Sequence, residues 1–140
     1  MNIEQIIDDF EFLDDWEERY RYVIDMGRKL DGLDAADKTE QNRVQGCVSN
    51  VWMTWSVADT EPATLQFSAD SDAHIVRGLV SILLAAYSGK TPEAVMAIDI
   101  REIFERLDLQ SHLSPSRSNG FFAMVERIRA VATSVGTAQA

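Results

Sequence analysis

The chain has 140 residues, of which 46% are hydrophobic and 26% charged, a composition typical of one folded globular domain. Its 13 basic and 23 acidic residues give a formal net charge of −10, which argues against binding to nucleic acid phosphates or to anionic lipid. The single cysteine, Cys47, excludes an intramolecular disulfide.

The beginning of the chain lacks the features of a targeting segment. Residues 1–9 are acidic, without the basic start and apolar core of a signal peptide. The most apolar stretch, residues 78–87, is too short for a bilayer, which takes about 20 residues. We therefore expect a single domain, residues 1–140, in a reducing cytoplasm and without membrane contact.

Two helices are predicted at the start of the chain. Asn2 with Gln5 resembles a capping box for a short first helix. Asp14 and Asp15 open a longer helix, whose apolar residues recur at helical spacing. We expect Gly32 to end this second helix, because glycine is favoured just past a helix end.

A small antiparallel sheet is predicted next, after a polar loop at residues 32–42. Residues 50–58 are rich in strand-forming side chains, and residues 64–69 alternate between apolar and polar. Turn-forming residues at 59–62 join the two into a hairpin. A short piece at 43–45 is expected to pair beside it.

The rest of the chain has the pattern of helices. Ser71 or Asp72 is predicted to cap a helix that Gly89 ends. Further starts are predicted where a capping residue precedes a proline or an acid, at Thr91-Pro92, at Asp99 with Glu102, and at Ser114-Pro115. The order of elements predicts an α+β fold, in which a small antiparallel sheet packs against several helices.

The motifs for phosphate and metal binding are incomplete. Gly89-Lys90-Thr91 lacks the upstream glycine of a phosphate loop, since Leu84 stands there. Cys47, His74 and His112 are the only cysteine and histidines of the chain, too few for a zinc or iron–sulfur centre. We expect no metal and no cofactor.

Cys47 is the candidate functional residue. It follows Gly46 in a polar segment, residues 45–50, where the glycine indicates a tight turn that leaves the thiol reachable. Arg43, four positions earlier, favours the thiolate. A buried structural cysteine is the alternative, and from composition and spacing alone the two are equally supported.

Two other kinds of site stay open from the residues alone. His112 could act as the base for Cys47 in a thiol hydrolase, with Asn119 orienting it. The helix start at residues 116–120 suits an anion, although capping and a structural hydrogen bond from Arg117 are the simpler interpretation. His74, in the first turn of a helix, is expected to be solvated or to cap.

Several motifs, in the same order along the chain, resemble the SufE/CsdE family of sulfur acceptors. They are Arg43-Val44-Gln45-Gly46-Cys47, Val51-Trp52, Asp70-Ser71-Asp72, Ile75-Val76-Arg77-Gly78-Leu79, Ser88-Gly89-Lys90-Thr91-Pro92 and residues 112–120. The resemblance covers nearly the whole chain. It implies an α+β fold like that of the IscU-type scaffolds and the transport of a single sulfur atom by one thiol, not the assembly of a cluster.

The resemblance also implies a role and partners. Cys47 would accept persulfide sulfur from a PLP-dependent cysteine desulfurase of the SufS/CsdA type, stimulate that enzyme, and pass the sulfur to a SufBCD-like scaffold complex. No independent turnover is implied. Gln45 and Gly46 precede the acceptor, and Arg117 would hold the cysteine loop or favour its anion. A binding module with a structural cysteine remains the other alternative.

The resemblance implies further features around the thiol. The cysteine would rest in an apolar cavity, for which Val48, Val51 and Trp52 are expected neighbours, and would turn outward when the desulfurase docks. Asp72, His74 and Arg77 lie at the start of the matching helix. They are candidates for the partner surface, although capping remains an equal explanation for Asp72 and Arg77.

Overall fold

Six α-helices and one antiparallel pair of strands make up the described part of the chain, residues 2–47 and 49–139 of a computed structural model, with side chains described up to residue 136. The elements are α1 Ile3–Phe12, α2 Trp16–Arg28, β1 Val51–Ala58, β2 Thr64–Ser71, α3 His74–Tyr87, α4 Pro92–Ala97, α5 Ile100–Arg106 and α6 Pro115–Gln139. Within these ranges, no helix has the length and apolarity that crossing a bilayer requires, and no three metal-binding side chains gather. The predicted α+β architecture is confirmed.

Polar side chains cap the starts of five of the six described α-helices, as predicted, with α3 as the exception. In each case a side-chain oxygen accepts a hydrogen bond from a backbone N–H three residues later, which satisfies one of the unpaired donors of the first turn. The pairs are Asn2 with Gln5, Asp15 with Glu18, Thr91 with Ala94, Asp99 with Glu102 and Ser114 with Arg117, at 2.8 to 3.3 Å.

Helices α2 and α3 differ from the prediction at one end each. α2 ends at Arg28, before Gly32, so the prediction that Gly32 ends it is wrong. Gly32 has φ +74° and instead lets the chain pass close to a buried carboxylate, where a Cβ atom would lie 2.5 Å from Asp70 Oδ2. The predicted cap of α3 is also wrong, because Ala73 is its N-cap and no side chain caps it.

The sheet is a two-stranded hairpin flanked by two isolated bridges, one of which joins Leu65 to Lys90. β1 and β2 pair antiparallel from Val51 opposite Ser71 to Ala58 opposite Thr64. The predicted third piece, residues 43–45, contributes only an isolated bridge between Arg43 and Trp52. The inward-facing residues of β2 are buried as the alternation predicted, and they are Leu65, Phe67 and Ala69.

The core forms where α3 crosses α2 and packs against β2, α1 and α6. Two glycines allow the close crossing, since a Cβ atom on Gly27 would lie 2.7 Å from the backbone nitrogen of Gly78, and one on Gly78 would overlap the backbone of Val23. The apolar stripe of α6 is buried as predicted, with Phe121, Met124, Val125, Ile128 and Val131 facing inward.

Asp70 is a buried carboxylate that joins four parts of the fold. It is 3% exposed, accepts hydrogen bonds from the backbone N–H groups of Leu33 (3.0 Å) and Ser71 (2.8 Å), and pairs with Lys38 at 3.3 Å and with Arg77. Burial raises the pKa of Asp70, but these hydrogen bonds and the charge of Arg77 outweigh burial, so the pKa lies below its ordinary value.

Candidate functional site

The loop that carries the single thiol is tied down at both ends. At its start, the Val44 N–H donates to the Val51 carbonyl at 2.8 Å. At its end, the Asn50 carbonyl accepts from the Ser71 hydroxyl at 2.7 Å, and the Asn50 N–H and side-chain amide donate to the Asp72 carboxylate at 3.2 and 2.9 Å. Asp72 therefore holds the cysteine loop and does not cap α3.

Within the loop, Cys47 points inward. The predicted tight turn is confirmed at Gly46, which has φ +93°. Glycine suits this position because any side chain would strain such a backbone conformation. Gln45 lies exposed beside it. The Cys47 side chain is half-buried, and its Sγ lies 3.5 Å from the Gly120 carbonyl of α6, to which it donates a weak hydrogen bond.

A cavity of about 330 Å³ opens beside the thiol. Its apolar wall comes from α3 and α6 and consists of Val76, Leu79, Phe121 and Met124, and its polar rim includes Ser49, Ser114, Ser116 and Arg117. An apolar cavity next to the thiol is what the resemblance implied. Its described lining residues do not include Val51 or Trp52, so that expectation is wrong, and Val48 lies outside the described residues.

Burial raises the pKa of the Cys47 thiol above its ordinary value, and the positive charge of Arg43 offsets only part of this effect. Arg43 lies 3.6 Å from Glu40, and its buried Nε has no hydrogen-bond partner among the described residues. The sequence predicted the direction of the Arg43 effect, but it did not predict that burial outweighs that effect. The resting thiol is therefore protonated and weakly nucleophilic at neutral pH.

Changing Arg43 to glutamine is expected to slow the alkylation of Cys47 at neutral pH. The change removes the one charge that favours the thiolate, so the pKa rises further and the rate reaches its plateau at higher pH. The measurement is the pH profile of the alkylation rate with iodoacetamide. Arg106→Gln is the control, since Arg106 pairs with Glu11 away from the cavity. Identical profiles for native and Arg43→Gln protein would contradict this account of the thiol.

Arg117 lies where a bound anion could reach it. Its side chain is exposed at the rim of the cavity, and its backbone N–H donates to the Ser114 hydroxyl at 3.3 Å. The expected cap at this helix start is confirmed by the bond to Ser114, whereas the described residues include no acceptor for the Arg117 guanidinium. The guanidinium is available to a partner or to an anion formed at Cys47.

The two histidines lie apart from the thiol. The His112 ring stacks on Trp16 with centroids 4.0 Å apart, and its Nε2 lies 3.3 Å from the Asp108 carboxylate. Neither histidine lines the described cavity of Cys47. The structure therefore does not form the pair of thiol and base that a hydrolase needs. His74 is exposed at the start of α3, as expected.

Arg77, predicted as a partner-surface candidate, serves the interior of the fold. Its guanidinium donates to the carbonyls of Gly27 (3.1 Å) and Leu30 (2.9 Å) and pairs with Asp70. It thus ties the end of α2 to α3 and β2. Contact with a partner stays a prediction for Asp72, His74 and Arg77.

The fold and the site define a small α+β domain with one thiol, held on an anchored loop that lines a cavity. The family model for SufE, described as an Fe–S metabolism associated domain, matches residues 4–132. The chain belongs to the SufE family, as its motifs indicated.

Relatives and a solved structure agree with this assignment. An uncharacterized SufE-like protein of Rhizobium etli is 53% identical over 129 residues, which cover 91% of this chain and 87% of the relative. Another from Rhizobium meliloti is 48% identical over 132 residues and 94% of each chain. The solution structure of a hypothetical protein from Thermus thermophilus has the same fold, with a TM-score of 0.77, 20% identity and 96% of each chain covered.

Proposed function

We propose that this chain accepts a single sulfur atom on Cys47 from a PLP-dependent cysteine desulfurase of the SufS/CsdA type. Membership of a family associated with Fe–S metabolism supports the general role. The observation that carries the specific proposal is the position of the chain's one thiol, on an anchored loop and in the lining of a cavity of about 330 Å³. One thiol can carry sulfur, and the chain has no second thiol that could attack the persulfide, form a disulfide with Cys47 and release the carried sulfur as sulfide.

The transfer is an exchange between sulfur atoms without net oxidation. The desulfurase holds a cysteine persulfide, and the Cys47 thiolate attacks its outer sulfur. A new S–S bond forms at Cys47 while the S–S bond on the donor breaks, and the electron pair of that bond leaves as the donor thiolate. The proton lost by Cys47 balances the proton that the donor thiolate later gains.

The resting geometry supports a role for the partner in exposing the thiol. Burial keeps the Cys47 thiol protonated, and its Sγ lies 3.5 Å from the Gly120 carbonyl of α6. Docking of the desulfurase turns the loop outward and exposes the thiol to the donor persulfide. After transfer, the loop returns inward, and the apolar wall of α3 and α6 shields the persulfide from water and oxidants.

The proposed role is that of an activating partner, not of an independent enzyme. Removing the persulfide frees the desulfurase for the next L-cysteine, so this chain stimulates turnover. The sulfur then passes to a SufBCD-like scaffold complex. A thiol hydrolase is the weaker alternative, because His112 stacks on Trp16. The other alternative is a binding module in which Cys47 is structural.

Stimulation of a desulfurase separates the leading proposal from the binding module. Native protein is expected to accelerate the formation of alanine from L-cysteine by a SufS-type desulfurase, and Cys47→Ser is expected to remove the acceleration, because serine cannot carry the sulfur. The measurement is the rate of alanine release, with Ser49→Ala as a control at the rim of the same cavity. Full stimulation by Cys47→Ser would show that binding alone activates and would overturn the proposal.

A further inference from the structure

A second depression, of about 650 Å³, adjoins the cavity of Cys47. It lies between α2 and the start of α3, and Arg117 lines both hollows. The lining residues that matter for its chemistry are Tyr20, Arg21, Arg28, His74 and Arg117. A partner seated in this depression would therefore extend up to the mouth of the thiol cavity.

The depression concentrates positive charge in a strongly acidic chain. Three of the 13 basic residues line it, against one lining acid, Asp25, although the formal charge of the chain is −10. Arg28 pairs with Asp25 at 3.5 Å, and Arg21 pairs with Glu17 at 2.9 Å. Both pairs are exposed on one helix, and such pairs contribute little to stability, so carboxylates of a partner can replace them.

The composition of the depression is that of a protein-binding surface. Tyr20 is 40% exposed, one of few large hydrophobic residues with this exposure in the described chain. Tyrosine and arginine are among the residue types enriched at the energetically important centres of protein interfaces. By contrast, the guanidinium groups of Arg19 and Arg127 donate hydrogen bonds to backbone carbonyls of this chain, so they are already paired within it.

The depression is linked to the loop of the thiol through the turn before α3. His74 lines the depression, and two residues earlier Asp72 holds Asn50 at the end of the Cys47 loop. A partner that displaces this turn also loosens the anchor of the loop. The structure has Cys47 as a free thiol, which is the state in which sulfur is accepted, so the described link between depression and loop is the one that the sulfur donor meets.

We propose that the depression formed by Tyr20, Arg21, Arg28, His74 and Arg117 is the docking site for a carboxylate-bearing segment of the sulfur-donating desulfurase. The proposal rests on the proposed function of Cys47. The arginines bind the carboxylates, Tyr20 packs against the apolar flank of the segment, and Arg117 places the donor persulfide at the cavity mouth.

Arg21→Glu tests the docking site, because it reverses a charge inside the depression. We expect the dissociation constant of the complex with a SufS-type desulfurase to rise about tenfold or more, since like charges face each other across the interface. The salt dependence of binding should also weaken. Arg106→Glu is the matched control, because Arg106 also forms a weak exposed pair, at 3.9 Å from Glu11, outside both hollows. It should bind as tightly as native protein.

The outcomes separate this proposal from the proposed function. Unchanged alkylation of Cys47 in Arg21→Glu without the donor shows that the fold and the thiol are intact. One outcome is that Arg21→Glu and Arg106→Glu bind the desulfurase equally tightly while native protein still accepts sulfur. In that case the proposed docking site is wrong and the proposed function of Cys47 stands. If Arg21→Glu slows only the transfer to the scaffold, the occupant is not the donor and the proposal is overturned. If native protein accepts no sulfur, both proposals fail.

Discussion

Replacing Gly78 by alanine is expected to lower the free energy of unfolding by about 3 kcal/mol, near the upper end for overpacking of a core. A Cβ atom at this position would overlap the backbone of Val23 on the neighbouring helix. The backbone of α2 cannot move aside as the tip of a long side chain can, so α2 and α3 must separate. For a domain of this size, the loss corresponds to a fall in melting temperature of roughly 10 °C.

The measurement is urea unfolding followed by circular dichroism, with Gly136→Ala as the control. Gly136 lies in α6, and a Cβ atom there would meet Pro92 at an ordinary 3.6 Å. Alanine is favoured over glycine inside a helix by about 1 kcal/mol, so Gly136→Ala should leave stability unchanged or raise it. Equal stabilities of the two variants would contradict the close crossing of α2 and α3.

Replacing Asp70 by asparagine is expected to cost about 3 kcal/mol of stability at pH 7, the range found when one partner of a buried ion pair is removed. The change leaves Lys38 and Arg77 facing a neutral group in a site that is 3% exposed. Asp72→Asn is the matched control, since Asp72 is exposed and lies two residues further along. A similar small loss in both variants would contradict the structural role of Asp70.

The pH dependence of stability gives a second test of Asp70. Its pKa is lower in the folded chain than in the unfolded one, so its contribution is complete above the unfolded value, about 3.9. The contribution is lost as the pH falls through the folded pKa. The acid side of the stability curve should therefore be less steep for Asp70→Asn than for native protein, in urea titrations between pH 7 and pH 3. Parallel curves would show that Asp70 is not stabilised as a carboxylate.

Local features of this fold could be predicted from the sequence. Capping residues such as Asp99 and Ser114 mark helix starts because their side chains bond to the nearest backbone N–H groups, an interaction that neighbouring residues decide. The strand alternation of Leu65 and Phe67 likewise reports which face is buried. The tight turn at Gly46 could be predicted as well, because it too is decided by residues that are neighbours in the sequence.

Features that depend on tertiary contacts were missed. The Asp72 side chain looked like a cap, but its carboxylate bonds to Asn50, 22 residues away in the chain. The cavity wall comes from α3 and α6, and only packing brings Val76 and Met124 to the thiol. Gly120 belongs to the motif at residues 112–120, yet no sequence pattern shows that its carbonyl faces Cys47.

The central claim is that Cys47 receives sulfur, and intact-mass spectrometry tests it most directly. Native protein and Cys47→Ser are each incubated with a SufS-type desulfurase and L-cysteine, without reductant. The account predicts that native protein gains the mass of one sulfur atom, which reductant then removes, and that Cys47→Ser gains none. An unchanged native mass, with the desulfurase active and the thiol still free, would contradict the account.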